Sequence, residues 1–119
     1  MKFPKKEHKE KVKEALRIVN MEEYSKRLIG NLSGGQQQRV MIAKALVSDP
    51  KIIILDEPTT GIDAKSEEQL YALLNKLNKE SNITIIIVSH DFAKIQQYTN
   101  KIFVVENNKV SLMKNENEV

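Results

Sequence analysis

Apolar positions along this chain recur first at helical spacing, then in unbroken runs, with a second helical stretch between the runs. From Lys5 to Asn20, Val12, Ala15, Leu16 and Val19 fall at i, i+3, i+4 and i+7, the spacing of one face of an amphipathic helix. Glu22 to Leu28 predicts a second, short helix, broken by a turn at Ile29-Gly30-Asn31. Ser33 is a strong N-cap for a third helix. That helix carries Val40, Ala43, Leu46 and Val47 on its apolar stripe and runs to about residue 47. Asp49-Pro50 stops it, because proline pushes the residue before it out of helical conformation. Ile52 to Leu55 is apolar throughout, which predicts a strand buried on both faces of a parallel sheet. After Pro58-Thr59-Thr60-Gly61 a helix starts near Asp63, with Leu70, Leu73, Leu74 and Leu77 on one side. Ile83 to Val88 predicts a second buried strand. Strand, helix and strand over this length make a βαβ crossover, with the two strands parallel and the connection right-handed. A short helix over Asp91 to Gln97 follows. Lys101–Glu106 and Lys109–Met113 flank Asn107-Asn108, a dipeptide that tolerates positive φ, so a β-hairpin is expected there. Lys114 to Val119 is polar and expected to fray.

Composition changes this picture little. The chain has 119 residues, 40% of them hydrophobic and 29% charged, with a net charge of +3, which suits one domain at most. Much of the positive charge lies between Lys2 and Lys13, where Glu7, Glu10 and Glu14 interleave with the lysines. That mixture reads as a solvated helix face, so no nucleic-acid partner is expected. With no cysteine, disulfides and thiolate metal sites are excluded. No apolar run approaches the roughly 18 residues of a membrane span, and the N-terminus has no apolar signal core. A cytoplasmic chain without direct membrane insertion is the expectation.

Three short segments carry candidate chemistry. Ser33-Gly34-Gly35 opens a helix whose first N–H groups are free and whose N-terminus is electropositive. Glycines there permit close backbone approach, so the start is suited to an anion such as phosphate. Taken alone, it reads more readily as an ordinary capped helix behind a Gly-Gly turn. Asp56-Glu57 ends the first strand, at the edge of an α/β sheet where ligands bind. Asp56 could hold Mg²⁺ directly or through water, and Glu57 could polarise an attacking water as general base; two solvated acids at a strand exit are the alternative. His90 follows the second strand, and parallel pairing would bring it to the same edge as Glu57, where an imidazole could contact a γ-phosphate. A lone histidine is more often structural, and His8 is read that way. Asp63 reads as an N-cap. The aromatic residues show no regular stacking pattern and are read as packing. Gly30 to Gly35 has the G-x-x-x-x-G spacing of a phosphate loop, but Gln36 and Gln37 stand where Lys and Ser/Thr are needed. No glycine-rich phosphate loop is therefore found in these residues.

Taken in order, these segments resemble the ATP-binding-cassette (ABC) ATPases. Leu32-Ser33-Gly34-Gly35-Gln36 matches the family's signature motif. Ile52 to Glu57 resembles its Walker B strand, Gly61-Ile62-Asp63 its D-loop with Gly-Ile for the commoner Ala-Leu, and His90 its switch histidine. The resemblance runs from Phe3 to Val110. Phe3-Pro4, Ser33 to Arg39 and Asp56 to Asp63 are similar to the ATPase subunits of zinc/manganese-type metal importers. It implies a P-loop NTPase-like α/β fragment, with residues 1–32 the remainder of a helical subdomain and 33–119 the signature, Walker B, D-loop and switch region. The family's Walker A half is not matched.

The implied cofactors are ATP and Mg²⁺. Asp56 stands in the magnesium position, Glu57 and His90 in the catalytic positions, and Ser33, Gly34, Gly35 and Gln36 in the nucleotide-binding position. Asp63 stands at the contact between subunits. The implied partners are a second ATPase subunit, arranged head to tail, and a membrane permease at the inner face of the cell membrane. The expected function is the C-terminal part of an import ATPase, incompetent by itself. The alternatives are a non-enzymatic module offering its signature motif to a complete partner, or part of a soluble ABC protein. Strands this apolar with neighbours missing are expected to make the separate chain marginally stable and self-associating.

Overall fold

A computed structural model describes residues 5–24 and 31–113. Helix α1 spans Lys5–Ile18 and is followed by a 3₁₀ turn at Glu22–Tyr24. The rest of the short helix expected to reach Leu28, the Ile29-Gly30 turn, Phe3-Pro4 and the polar tail after Met113 lie outside the described residues. Helix α2 (Gly34–Leu46) leads to strand β1 (Ile52–Asp56), helix α3 (Ala64–Ser81) and strand β2 (Thr84–Val88). Helix α4 (Phe92–Tyr98) and the hairpin β3 (Ile102–Glu106) and β4 (Lys109–Met113) complete the order.

The helix ends follow from local chemistry. Ser33 caps α2 and Asp63 caps α3. Asp49 adopts φ +50, so a left-handed residue as well as Pro50 separates α2 from β1. Its carboxylate accepts from Lys11 Nζ at 2.9 Å, tying the end of α2 to α1. Asn82, at φ +54, ends α3 in the left-handed region that asparagine tolerates. Asn107 and Asn108 have φ of +49 and +61, the signs a type I′ turn requires, and Glu106 pairs with Lys109 across them.

Strands β1 and β2 pair in parallel, with Ile52 opposite Thr84, Ile54 opposite Ile86 and Asp56 opposite Val88. Helix α3 makes the crossover between them. The core gathers Ala15 of α1, Val19 and Met21 just after it, Ile42 and Ala43 of α2, Ile53 of β1, Leu70, Tyr71, Leu74 and Leu77 of α3, and Ile83. The predicted stripes enter it, with Leu16, Val40, Leu46, Val47 and Leu73 packed at its margin.

Burial on both strand faces does not hold. In β1, Ile53 is buried while Ile52 and Ile54 are exposed; in β2, Ile86 and Val88 are exposed. Among the described residues, β1–β2 and β3–β4 are separate two-stranded sheets with no third strand, and the helical core covers one face of β1–β2, through Ile53, Leu55, Ile85 and Ile87. A strand needs cover on both sides for an all-apolar run to be buried, and the helices present cover one.

Candidate functional site

The signature-like segment is built on a capping box. Ser33 Oγ accepts from Gln36 N–H at 3.1 Å, and Gln36 Oε1 accepts from Ser33 N–H at 3.0 Å. Two orphan groups of the helix start are thereby satisfied, and the backbone entering α2 is held in one conformation. The Ser-x-x-Gln spacing carries this signal, although the role of Gln36 as a cap was not drawn from it. Gly35 is buried, and a Cβ there would lie 2.9 Å from Ser66 Cβ. A Cβ on Gly34 would lie 3.4 Å from the carbonyl oxygen of Gly61. The two glycines therefore let α2 approach the Gly61-Ile62 loop and the start of α3. Asp63 Oδ2 accepts from Ser66 N–H at 3.1 Å. Hydrogen bonds from Ser66 lower the Asp63 carboxyl below its ordinary value.

At the end of β1 the chain turns sharply. Glu57 adopts φ +47, a conformation that costs a non-glycine residue energy and persists only where its surroundings hold it. Its N–H extends the ladder to the Val88 carbonyl at 2.7 Å, and its carboxylate folds onto the segment that follows β2. Oε1 accepts from His90 N–H at 2.9 Å and lies 2.6 Å from His90 Nδ1. Ser89 Oγ donates to Oε2 at 3.3 Å. The His90 side chain, with its own backbone N–H and the Ser89 hydroxyl, holds the Glu57 carboxyl below its ordinary value. With Nδ1 engaged, the almost wholly exposed His90 ring presents Nε2 outward. Parallel pairing thus brings Glu57 and His90 together as the sequence implied, and Ser89 joins them.

Asp56 is exposed at the strand end. Among the described residues no three His, Cys, Asp or Glu side chains converge to hold a metal ion by themselves. A single open carboxylate still suits Mg²⁺, which binds through one or two carboxylates while keeping waters and phosphate oxygens as further ligands.

Helix α4 is fixed behind this edge. Lys94 pairs with Glu67 at 2.9 Å, and Tyr71 stacks on Tyr98 with centroids 4.1 Å apart and planes 5° from parallel. Burial raises the Tyr71 hydroxyl above its ordinary value, opposed by a hydrogen bond from Thr59, two residues beyond Glu57. This stack had no periodic signal, because its partners sit on different helices. A cleft of about 240 Å³ lies between α3, β2 and the end of α4, floored by Leu74, Ile85 and Ile87. It contains none of Asp56, Glu57 or His90, which stand on an open edge.

Strand, helix and parallel strand, with an acid and an imidazole paired at the carboxyl edge, make an α/β unit whose polar groups gather where open α/β sheets bind ligands. The description "ABC transporter" belongs to the family model that matches residues 2–60. The zinc uptake system ATP-binding protein ZurA of Listeria innocua is 46% identical over 97 residues, covering 82% of this chain and 38% of that protein. The methionine import ATP-binding protein MetN 1 of Enterococcus faecalis is 42% identical, over 87% of this chain and 29% of its own length. Among solved structures, cbiO1 of Clostridium perfringens, part of the ABC transporter complex cbiONQ, superposes with a TM-score of 0.87 at 39% identity, over 97% of this chain and 46% of that one. The chain belongs to the ABC transporter ATPase family, and it spans less than half the length of these relatives.

Proposed function

We propose that these residues form the C-terminal part of an ATP-hydrolysing subunit that powers import through a membrane permease, and that the imported cargo is a metal ion. The observation that carries the reading is the Glu57–His90 pair at 2.6 Å on the carboxyl edge of two parallel strands. The zinc uptake relative supports the cargo; the methionine importer at comparable identity shows that the same chemistry serves other cargoes in relatives.

In this reading Glu57, kept ionised by His90, takes a proton from the attacking water as general base. His90 meets the terminal phosphate through Nε2, the nitrogen left outward by the contact of Nδ1 with Glu57; as imidazolium it donates a hydrogen bond there. Asp56 supplies a carboxylate oxygen for Mg²⁺, which when bound neutralises phosphate charge. Ser33, Gly34, Gly35 and Gln36 face the nucleotide of a second, head-to-tail subunit across the start of α2, and Asp63 lies at that subunit contact. No helix among the described residues is long and apolar enough to cross a membrane. The chain works at the cytoplasmic face, held there by the permease.

The test is ATP binding and turnover by the 119-residue chain, alone and mixed with a polypeptide carrying the upstream half of a cassette. We expect no turnover alone, turnover in the mixture, and loss of about 100-fold or more with Glu57→Gln, as for removal of a general base. Turnover by the chain alone that disappears with Glu57→Gln would mean that another part of these residues holds the phosphates, and would overturn the division of labour. A mixture as active with Glu57→Gln as without it would remove Glu57 from the chemistry.

A further inference from the structure

Ser89 lies between the two proposed catalytic residues, and its hydroxyl is used on both sides. Asp91 N–H donates to Ser89 Oγ at 3.0 Å, and Ser89 Oγ donates to Glu57 Oε2 at 3.3 Å. A hydroxyl has one proton and two lone pairs. The amide of Asp91 occupies a lone pair and turns the proton toward the carboxylate. Oε1 is already occupied by His90 N–H and lies against Nδ1, so without Ser89 the carboxylate would be held from one side only and free to swing out of these contacts.

We infer that Ser89 is a positioning residue for Glu57, holding the plane of its carboxylate by anchoring Oε2 while His90 anchors Oε1. The inference rests on the reading of Glu57 as general base. Each carboxylate oxygen has two lone-pair sites, so Oε2 keeps one for the proton of an incoming water, at an angle set by the Ser89 bond. The 3.3 Å contact is the loosest at the site, and such bonds tighten when substrate is bound. Serine suits the position because the turn leaves the side chain only partly buried and a short hydroxyl reaches both groups. The backbone makes Glu57 depend on such an anchor. At φ +47 the residue is held by its neighbours, and Ser89 and His90 together engage both oxygens of its carboxylate.

Two readouts decide the matter. The first is hydrogen exchange at the His90 amide in the 119-residue chain. With Ser89→Ala, a carboxylate that swings out releases that N–H, and exchange quickens about tenfold, the scale of one hydrogen bond to a charged group; Ser89→Thr, which keeps the hydroxyl, restores protection. In a Glu57→Ala background Ser89→Ala then adds nothing at His90. Unchanged exchange in Ser89→Ala overturns the inference. So does an equal quickening in the Glu57→Ala background, because Ser89 would then act by shaping the turn.

The second readout is turnover by the chain mixed with an upstream half. Ser89→Ala lowers kcat about tenfold and leaves KM for ATP unchanged, and Ser89→Thr recovers most of kcat. A rise in KM with kcat intact overturns the positioning role. Absence of turnover in the parent mixture counts against the proposed function alone, and the exchange experiment still decides whether Ser89 holds the carboxylate.

Discussion

At the scale of single residues, one position can have different reasons at different levels. Gly35 stands in a motif that sequence reading assigns to phosphate approach, yet its immediate requirement in the folded chain is contact between α2 and α3. A Cβ at Gly35 would press on Ser66 Cβ at 2.9 Å, a backbone-linked atom that cannot swing away. We therefore expect Gly35→Ala to destabilise the chain by about 1–3 kcal/mol, the range for overpacking. Alanine's better helix propensity offsets little so near the helix start. Adding Ser66→Gly removes the opposing atom and should recover part of the loss. Urea denaturation of the two single variants and the double variant measures the coupling, and strictly additive losses would show that this contact is not the cause. Glu57 shows the reverse relation. Its acid was legible as the end of an apolar run, but its left-handed backbone and inward-folded carboxylate come from β2 and the turn after it.

At the scale of elements, caps carry most of what the sequence made visible. Ser33 and Asp63 were readable as N-caps because their short side chains precede an apolar helical period, and both hydrogen bonds are present. Asp63 makes the cap depend on pH. Its folded pKa is depressed from an ordinary 3.8 by hydrogen bonds from Ser66, so the unfolded chain takes up the proton first. The stabilisation is complete above that ordinary value and is lost as pH falls through the lower, folded one. Asp63→Asn caps about as well but cannot titrate. Thermal melts between pH 5 and about pH 2 should show a shallower acid loss for Asp63→Asn than for the parent; parallel curves would place the acid sensitivity elsewhere. The Tyr71–Tyr98 stack was illegible at this scale, since neither helix's periodicity identifies the other as its partner.

At the scale of the whole molecule, the sheet faces decide behaviour. Ile52, Ile54, Ile86 and Val88 lie exposed on β1–β2. On the hairpin, the cross-strand pairs Phe103–Leu112 and Val105–Val110 are exposed too. Contiguous apolar surface beside unpaired strand edges favours association. The 119-residue chain by itself should sediment as a concentration-dependent mixture with a broad melt. Ile54→Lys together with Val105→Lys should shift it toward monomer, because charges on exposed strands oppose edge-to-edge pairing. A single monomeric boundary and a cooperative melt of the parent would contradict this expectation.

The sequence by itself determined which elements form and in what order. Periodicity, caps and the Asn-Asn turn are local signals, and each depends on residues within a few positions. It also brought Asp56, Glu57 and His90 to one sheet edge, because two strands joined by a helical crossover pair in parallel and end on the same side. Only the tertiary structure decided what those residues touch. That Glu57 bonds His90 and Ser89, that Gly35 serves the approach of two helices, and that half of each apolar strand stands exposed all depend on contacts between segments some 30 residues apart or on cover from outside the strand. No local pattern records such contacts, since they arise from packing in three dimensions.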